Sequence, residues 1–556
     1  MQKKKANLKS TPTISSKTGE SGQIVVALLL MMALFLLAMV GFAVDLTNLW
    51  FHRQAAQSAA DSACQAGAMD MSGVVAGLTL PNMGFAPGTA GNCSASSGAT
   101  MCFYANANGF NGTGLTSGAS SAVAWTFPAS VAGTTPPPAS MSPNPFLTVT
   151  VIENVKTHFL YTLHGTTYQQ VAAACTCGLV QEKEAAPVIV LSPTQYGAFT
   201  YSGGGSFNIV GGPQRSLQVN SNSTTAIDCI PSAIINTSQG GPNGTGSDVA
   251  TVGGPTQAPT TCYGGGFNGG TTGHWNGDGL PIGDPYAAVG PPLSVKSMAP
   301  VSTTNGLSVQ YHQDGCPDQK YSCIELSPGY YPNGITTNGY QTYIFLPGIY
   351  YMGSSLNAGG SATVRMATPC IPSCSSLSTQ PGQQTDGMML YFYSGSISIS
   401  GCSGCVSNNN PLDPVPSTAL TCDGSAPSPD LNMPSGLNGN ILVAQCTTNG
   451  TYWDNGGDST DSRGSPGSRG LLIYQDHANS AQPMFGGSGS LSFSGTLYFH
   501  SSSYADVLSM SGGSNTGTFI LGQIVTDQIN LSGSGAINLA LNPTPSTYLL
   551  KVGMLQ

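Results

Sequence analysis

Charge is the scarcest property of this chain. Of its 556 residues only 7% are charged, with 15 Lys and Arg against 24 Asp and Glu and a net charge of −9. A nucleic-acid binder carries a clustered basic face, so that class is excluded. Apolar content is an ordinary 40%, which does not suit generic disorder. With 73 Gly and 38 Pro, the composition suits a β-rich exported protein whose solvated faces are Ser, Thr, Asn and Gly. Long apolar runs are nearly absent, which makes the exception informative.

That exception is Ile24 to Val44, through Leu28, Leu34, Phe35 and Leu37, 21 residues without a charge. At about 1.5 Å per residue a helix of this length reaches roughly 30 Å, the thickness of a bilayer's hydrocarbon core. In lipid every backbone N–H and C=O must be satisfied within the segment, which predicts a helix. Lys3, Lys4, Lys5, Lys9 and Lys17 precede it, with Glu20 the only acid. The positive-inside rule places residues 1–21 in the cytoplasm and exports the remainder. The expected location is therefore the inner membrane, crossed once, with lipid as a partner. A cleaved signal is the alternative, but this apolar core exceeds the usual length of about 7–15 residues.

The chain has 15 Cys. Cys64 lies on the predicted stalk beyond the membrane; the other 14 lie further out. An even number in an oxidising compartment reads as disulfides. Local pairs are expected at Cys93/Cys102, Cys175/Cys177, Cys229/Cys262, Cys316/Cys323, Cys370/Cys374, Cys402/Cys405 and Cys422/Cys446. A zinc site from Cys370, Cys374, Cys402 and Cys405 is the rival, since the spacing approximates that of zinc ligands. No metal or cofactor is assigned.

Past the membrane, Phe42, Leu46, Leu49, Arg53, Ala56, Ala60, Ala63 and Gly67 recur at spacings of four and three. This predicts a continuing helix with a seam of small residues, packed on the chain's own domain or on a partner. The entry Gly19-Glu20-x-Gly22-Gln23, the apolar span, Asp45 at its end, Arg53, and the run Gln57-x-Ala-Ala-Asp61-x-Ala63 together resemble the N-terminal segment of TadE/TadG-like Flp pilus-assembly proteins. The resemblance covers about 50 residues. It implies an inner-membrane-anchored accessory protein of a tight-adherence pilus system, with the machinery of that system as partner. Cleavage after Gly19 would put Ile24 where a prepilin peptidase reads Glu, so processing is not expected. Asp461-Ser-Arg-Gly-Ser465 lacks the Asp-x-Ser-x-Ser spacing of the adhesion site found in some TadG-like members.

After the tail (1–21) and the span with its stalk (22–70), residues 71–186 read as a small α+β module. Its first part is irregular, with a short helix expected at Tyr104–Phe110. Strands are expected from Phe146 and across Val155–Leu163 and Tyr168–Ala174. A helix leading into a short antiparallel sheet is a pilin-like plan. Residues 187–545 carry repeats, with an insertion at 406–465, and 546–556 reads as a tail. Phe199-Thr-Tyr-Ser-Gly203, Ile397-Ser-Ile-Ser-Gly401, Leu491-Ser-Phe-Ser-Gly495, Leu508-Ser-Met-Ser-Gly512 and Ile529-Asn-Leu-Ser-Gly533 share one pattern. A second unit, Pro328-Gly-Tyr-Tyr331 and Pro347-Gly-Ile-Tyr-Tyr351, recurs 19 residues on (347 − 328). Short Gly-ended strands at such intervals predict a right-handed parallel β-helix, with an antiparallel β-sandwich as the alternative. Alternation puts Leu491, Phe493, Leu508, Met510, Ile529 and Leu531 inward and the Ser and Asn between them outward, with Leu491, Leu508 and Ile529 stacked.

Catalysis finds little support in the sequence. Polysaccharide-degrading β-helices cluster carboxylates on one face. Here Asp284, Asp314, Asp318, Glu325, Asp386, Asp476, Asp506 and Asp527 are scattered along the chain. His274, His312, His477 and His500 share no ligand-like interval. Asp476-His477 is the best acid–base candidate, and a solvated strand end accounts for it. Asp454, Asp458 and Asp461 have the oxygen chemistry of a Ca²⁺ loop, but a solvated acidic loop accounts for them. The expected function is a non-enzymatic, membrane-anchored envelope protein of a Flp or Tad system, with no small-molecule substrate. A surface adhesin or glycan-binding β-helix is the alternative, and a polysaccharide-degrading enzyme a weaker one.

Overall fold

The computed structural model describes residues 21–555 apart from 76–82, 135, 138–141, 162–164, 183–185, 230–232, 257–265, 278, 288, 293–295, 298, 302–305, 312, 314–315, 338, 360–361, 368–386, 402–411, 416–419, 422–438, 445–469, 488–489, 513–516 and 541–548. The chain is mainly β, with one long apolar helix at its start and three sheets of parallel strands.

Helix α1 runs Ser21–Val75, 55 residues, or roughly 80 Å. Its two halves have different surroundings. Ile24, Leu28, Leu34, Phe35, Leu37 and Val44 are all exposed. Ala56, Ala59, Ala60, Ala63 and Ala68 are fully buried. The small-residue half of the predicted seam therefore packs on the chain's own sheet, while Phe42, Leu46 and Arg53 stay exposed. Close approach is the reason for small residues: a Cβ at Gly67 would sit 2.6 Å from a Leu147 methyl and 2.9 Å from the Met101 sulfur.

The sheet beneath α1 contains β1 (Gly91–Asn92), β2 (Ser120–Thr126), β3 (Phe146–Lys156) and β4 (Tyr168–Glu182), in that order and antiparallel. Leu147, Val149 and Val151 face the helix while Thr148 and Thr150 face away, as the alternation predicts. Of the strand expected at Val155–Leu163, only Val155 and Lys156 are extended, as the end of β3, which pairs with β4 from Phe146↔Gly178 to Lys156↔Tyr168; residues 157–161 turn away from the strand, and 162–163 lie outside the described residues. The short helix lies at Thr100–Ala107 (α2), earlier than expected. The fifth strand is Leu549–Met554, paired with β4 from Leu549↔Glu182 to Met554↔Cys177. Within the expected tail, 546–556, residues 549–554 are thus a strand of this sheet. Six residues so far from the sheet in sequence carry no local sign of their partner.

Beyond β4 the chain passes in rotation through three sheets around one core. Leu491–Ser494, Thr496–Phe499, Val507–Gly512, Thr518–Leu521, Ile524–Thr526 and Gln528–Gly533 visit the second, first, third, second, first and third sheets in turn. Pairing in these sheets is parallel except between Leu307–Val309 and Cys323–Leu326. The antiparallel sandwich has no counterpart here. Four of the five repeats fall in the third sheet, where Leu508↔Ile529↔Phe199 and Ile399↔Phe485↔Met510↔Leu531↔Tyr201 form ladders. The fifth, at Leu491, lies in the second sheet, so Leu491 does not stack on Leu508. All six residues assigned inward are buried, but Ser492 and Ser494 are buried as well, and the Leu420 carbonyl accepts from Ser494 Oγ at 2.5 Å. Repeat glycines serve two ends. Gly495 takes φ +124° at the corner between sheets. Gly203 has no such φ; a Cβ there would meet the Gly533 carbonyl at 2.0 Å, so successive corners exclude a side chain.

Strand order does not follow chain order. Val188–Val190, Phe199–Ser202 and Ser206–Gly211 form the first turn, yet they sit in mid-stack. Strands up to Trp275–Asn276 extend one way from it. The chain then crosses to the far end and builds back, until Ile524–Thr526, Gln528–Gly533 and Ile537–Ala540 pair with that first turn on its other side. The described residues of the crossing segment, among them Ile282, Tyr286, Val289 and Lys296, lie along the outside of the first sheet. Ile282 exchanges two hydrogen bonds with the Asn220 side chain, at 2.6 and 3.0 Å. Tyr286 Oη reaches Thr496 and Gln523, and Tyr474 Oη donates to the Val289 carbonyl at 2.5 Å. The Lys296 ammonium lies 4.5 Å from the Tyr393 ring centre. Beneath runs a tyrosine ladder, Tyr351, Tyr391, Tyr474 and Tyr498, at successive spacings of 4.9, 5.4 and 5.0 Å.

Candidate functional site

Two places bring chemistry-bearing residues together. The first is the joint between α1 and the β3–β4 hairpin. Asp45, at the end of the apolar run, is buried and accepts backbone N–H bonds from His158 (3.0 Å), Phe159 (2.6 Å) and Leu160 (2.6 Å). A carboxylate meeting three convergent amides is a charge-assisted cap, stronger than neutral hydrogen bonds. Gln57 Nε2 donates to Asp61 Oδ1 at 2.7 Å and to the Ala174 carbonyl at 3.1 Å. His52 Nδ1 lies 2.9 Å from Glu153 Oε2. Asp45, Gln57 and Asp61 thus hold helix to hairpin, whereas Arg53 and Gln23 are exposed. Gly19 and Glu20 lie outside the described residues, and of Gly22 only the helical backbone is described.

Cysteine completes the joint. Cys64 is bonded to Cys177 with a Cα–Cα distance of 6.0 Å. The expected Cys175/Cys177 pair does not form. Residues two apart on a strand point the same way, so their Cβ atoms stay about 6.6 Å apart, beyond the ~3.5–4.5 Å a disulfide needs. Both thiols face α1, and Cys64 meets one of them. Cys175 is free and buried, and burial, with Asp61 beside it, pushes its thiol up to about 12. Cys93–Cys102 and Cys316–Cys323 are bonded. Cys229 is also in a disulfide. Cys262, Cys370, Cys374, Cys402, Cys405, Cys422 and Cys446 lie outside the described residues, as do Asp454, Asp458, Asp461, His312, Asp314 and Asp386.

The second place lies where the crossing segment passes the strand at Thr496–Phe499. Acids scattered in sequence converge there, as their spacing does not foretell. His500 Nδ1 is 2.5 Å from Asp527 Oδ1, and Asp527 Oδ2 accepts from the Ser501 and Asp506 amides. Tyr498 Oη donates to Asp284 Oδ2 at 2.7 Å and lies 2.7 Å from His477 Nε2. Tyr391 Oη donates to Asp476. Tyr504, whose ring centre is 5.1 Å from that of His500, takes φ +55°, a region side chains other than Gly rarely adopt. Burial pulls the His477 imidazole below its ordinary value. It opposes charge on His500 too, but the Asp527 carboxylate, with Asp284 and Asp506, outweighs it and holds that imidazole above the ordinary value. Burial, aided by Asp527, pushes the Asp506 carboxyl up to about 7. Among the described residues no three His, Cys, Asp or Glu side chains are arranged to hold a metal.

A carboxyl raised in the folded state contributes stability only while protonated, and that contribution is lost as pH rises from about 4 through about 7. Asp506→Asn cannot ionise. It is expected to melt higher than the unaltered protein at pH 8, with the gap closing as pH falls to 4. Melts at several pH values check this; a gap independent of pH would contradict the assignment.

A cleft of about 410 Å³ opens where the end of α1 (Gln65, Met69), the strand at Leu550–Val552 and the parallel unit at Arg215 and Asp248 meet. The helix side of the joint, and Gln65 and Met69 of the cleft, fall within what comparison with known proteins identifies. Residues 22–70 match the family model described as putative Flp pilus-assembly TadE/G-like. The match contains Asp45, Gln57, Asp61 and Cys64, the residues through which α1 holds the hairpin, and ends before the sheet they hold. No curated protein and no solved structure matches the chain.

Proposed function

We propose that the chain is a non-enzymatic, single-pass inner-membrane protein of a Flp pilus-assembly or tight-adherence system, holding a right-handed parallel β-helix outside the cytoplasmic membrane. One observation carries the reading: the family-matched helix changes role at Asp45. Before it, α1 is apolar, exposed and long enough to cross a bilayer. After it, the same helix holds the hairpin through Asp45, and from Ala56 on it is small-residued and buried against a folded domain, while Leu46, Trp50 and Phe51 between them stay exposed. An anchor continuous with a docking helix fixes the height of what it carries. The rotation of the chain through three parallel sheets supports the β-helix, and the usual hand of parallel crossovers supports right-handedness.

The protein is expected to fractionate with inner membranes, and protease added to spheroplasts should leave only a fragment ending near residue 45. A soluble product beginning near Ala55 would identify the apolar run as a cleaved signal instead. Deleting the gene should abolish surface pili, with rescue by the anchored protein; unchanged pili would refute the pilus assignment.

A further inference from the structure

We infer that the described residues at the tip of the β3–β4 hairpin, 157–161, are a second membrane contact, inserted beside α1 into the phospholipid of the outward-facing leaflet. This rests on the anchor reading and adds a surface to it. The hairpin runs back along the helix toward the membrane. Phe159 packs on Gly41, where a Cβ would sit 2.5 Å from its ring. Gly41 lies three residues inside the apolar run that ends at Val44, about 4.5 Å along the helix axis. Whatever depth the span adopts, the ring at that level shares it.

The tip has the chemistry for this position. Phe159 is 43% exposed and Tyr161 51% exposed. Phenolic and apolar rings belong at the boundary between headgroups and acyl chains. Backbone is the usual obstacle, since an unpaired N–H in lipid costs several kcal/mol. Here the amides of His158, Phe159 and Leu160 are all taken by Asp45. Thr157 N donates to the Thr167 carbonyl and Gly165 N to that of Tyr161. The same bonds close off the Asp45 carboxylate, the one acid at the edge of the apolar run. Lys156, exposed at the end of β3, stands further out, beside Asn48, whose Nδ2 donates to its carbonyl at 3.4 Å. A second protein copy would also cover exposed rings, but continuity with the apolar span favours lipid.

Brominated lipids test the inference. The full chain is reconstituted into phosphatidylcholine–phosphatidylglycerol vesicles with acyl chains brominated near the glycerol or near their ends. Tyr161→Trp and Leu34→Trp are each compared with the unaltered protein, whose Trp residues set the background. Leu34 stands at the middle of the apolar run, so its Trp should be quenched more by deep bromines. The Trp at 161 should be quenched more by shallow ones. Quenching at 34 without quenching at 161 overturns hairpin insertion and leaves the anchor standing. Absence of quenching at both overturns the anchor as well. Blue-shifted, unquenched emission at 161 would assign the tip to a protein partner and also overturn the inference.

Discussion

Leu508→Asp is expected to destabilise the parallel-sheet unit by several kcal/mol, a large share of a typical domain's roughly 5–15 kcal/mol. Leu508 is fully buried and paired across the third sheet with Ile529. A carboxylate there has no partner and no water. Ser509, one residue on, is partly exposed and pairs with the exposed Asn530. Ser509→Asp should cost about 0.5 kcal/mol or less, as surface changes usually do. The contrast tests register, because a one-residue slip exchanges the faces. Urea melts of the full chain in detergent would report it. Equal costs, or the reverse order, would contradict the structure.

Replacing both Cys64 and Cys177 by Ser is expected to cost the membrane-proximal domain about 2–4 kcal/mol. The bond closes a separation of 113 residues, long enough to restrict the unfolded chain strongly. It also joins α1 to the centre of the sheet. Melting of that domain, read from protease resistance of the α1–sheet unit, should shift, while the parallel unit melts as before. Replacing Cys175 instead, whose thiol is unpaired, should leave resistance to reducing agent unchanged in character. An unchanged melt in the double variant would deny the bond a role.

What could be read from the sequence was local. The apolar run, the alternation of β3, the Ser-Gly repeats and the near-neighbour disulfides Cys93–Cys102 and Cys316–Cys323 all depend on residues a few positions apart. What could not be read depends on where distant segments meet. Ile529 pairs with Phe199 across 330 positions (529 − 199). Nothing in either strand marks the other, since any apolar-alternating strand offers the same edge. The acid–histidine cluster was hidden for the same reason: Asp284 reaches Tyr498 only because the crossing segment returns over the first sheet. Serine misled in one place. It reads as a solvated face in the repeats, yet Ser492 and Ser494 are buried, Ser494 donating to the carbonyl of Leu420, 74 residues away.

The strand at Leu549–Met554 gives the molecule a mechanical property. The chain leaves the membrane-proximal sheet from the end of β4 and comes back to pair at that same end, Leu549 beside Glu182. A load on the outer unit is therefore divided between two tethers that enter the sheet side by side. A pull directed along these strands loads the β3–β4 hydrogen bonds in shear, where they resist together and do not open one at a time. Two tethers also remove the free swivel of a single one. Tension or torque on the parallel unit would pass through the sheet into α1, to which the sheet is bonded through Cys64–Cys177.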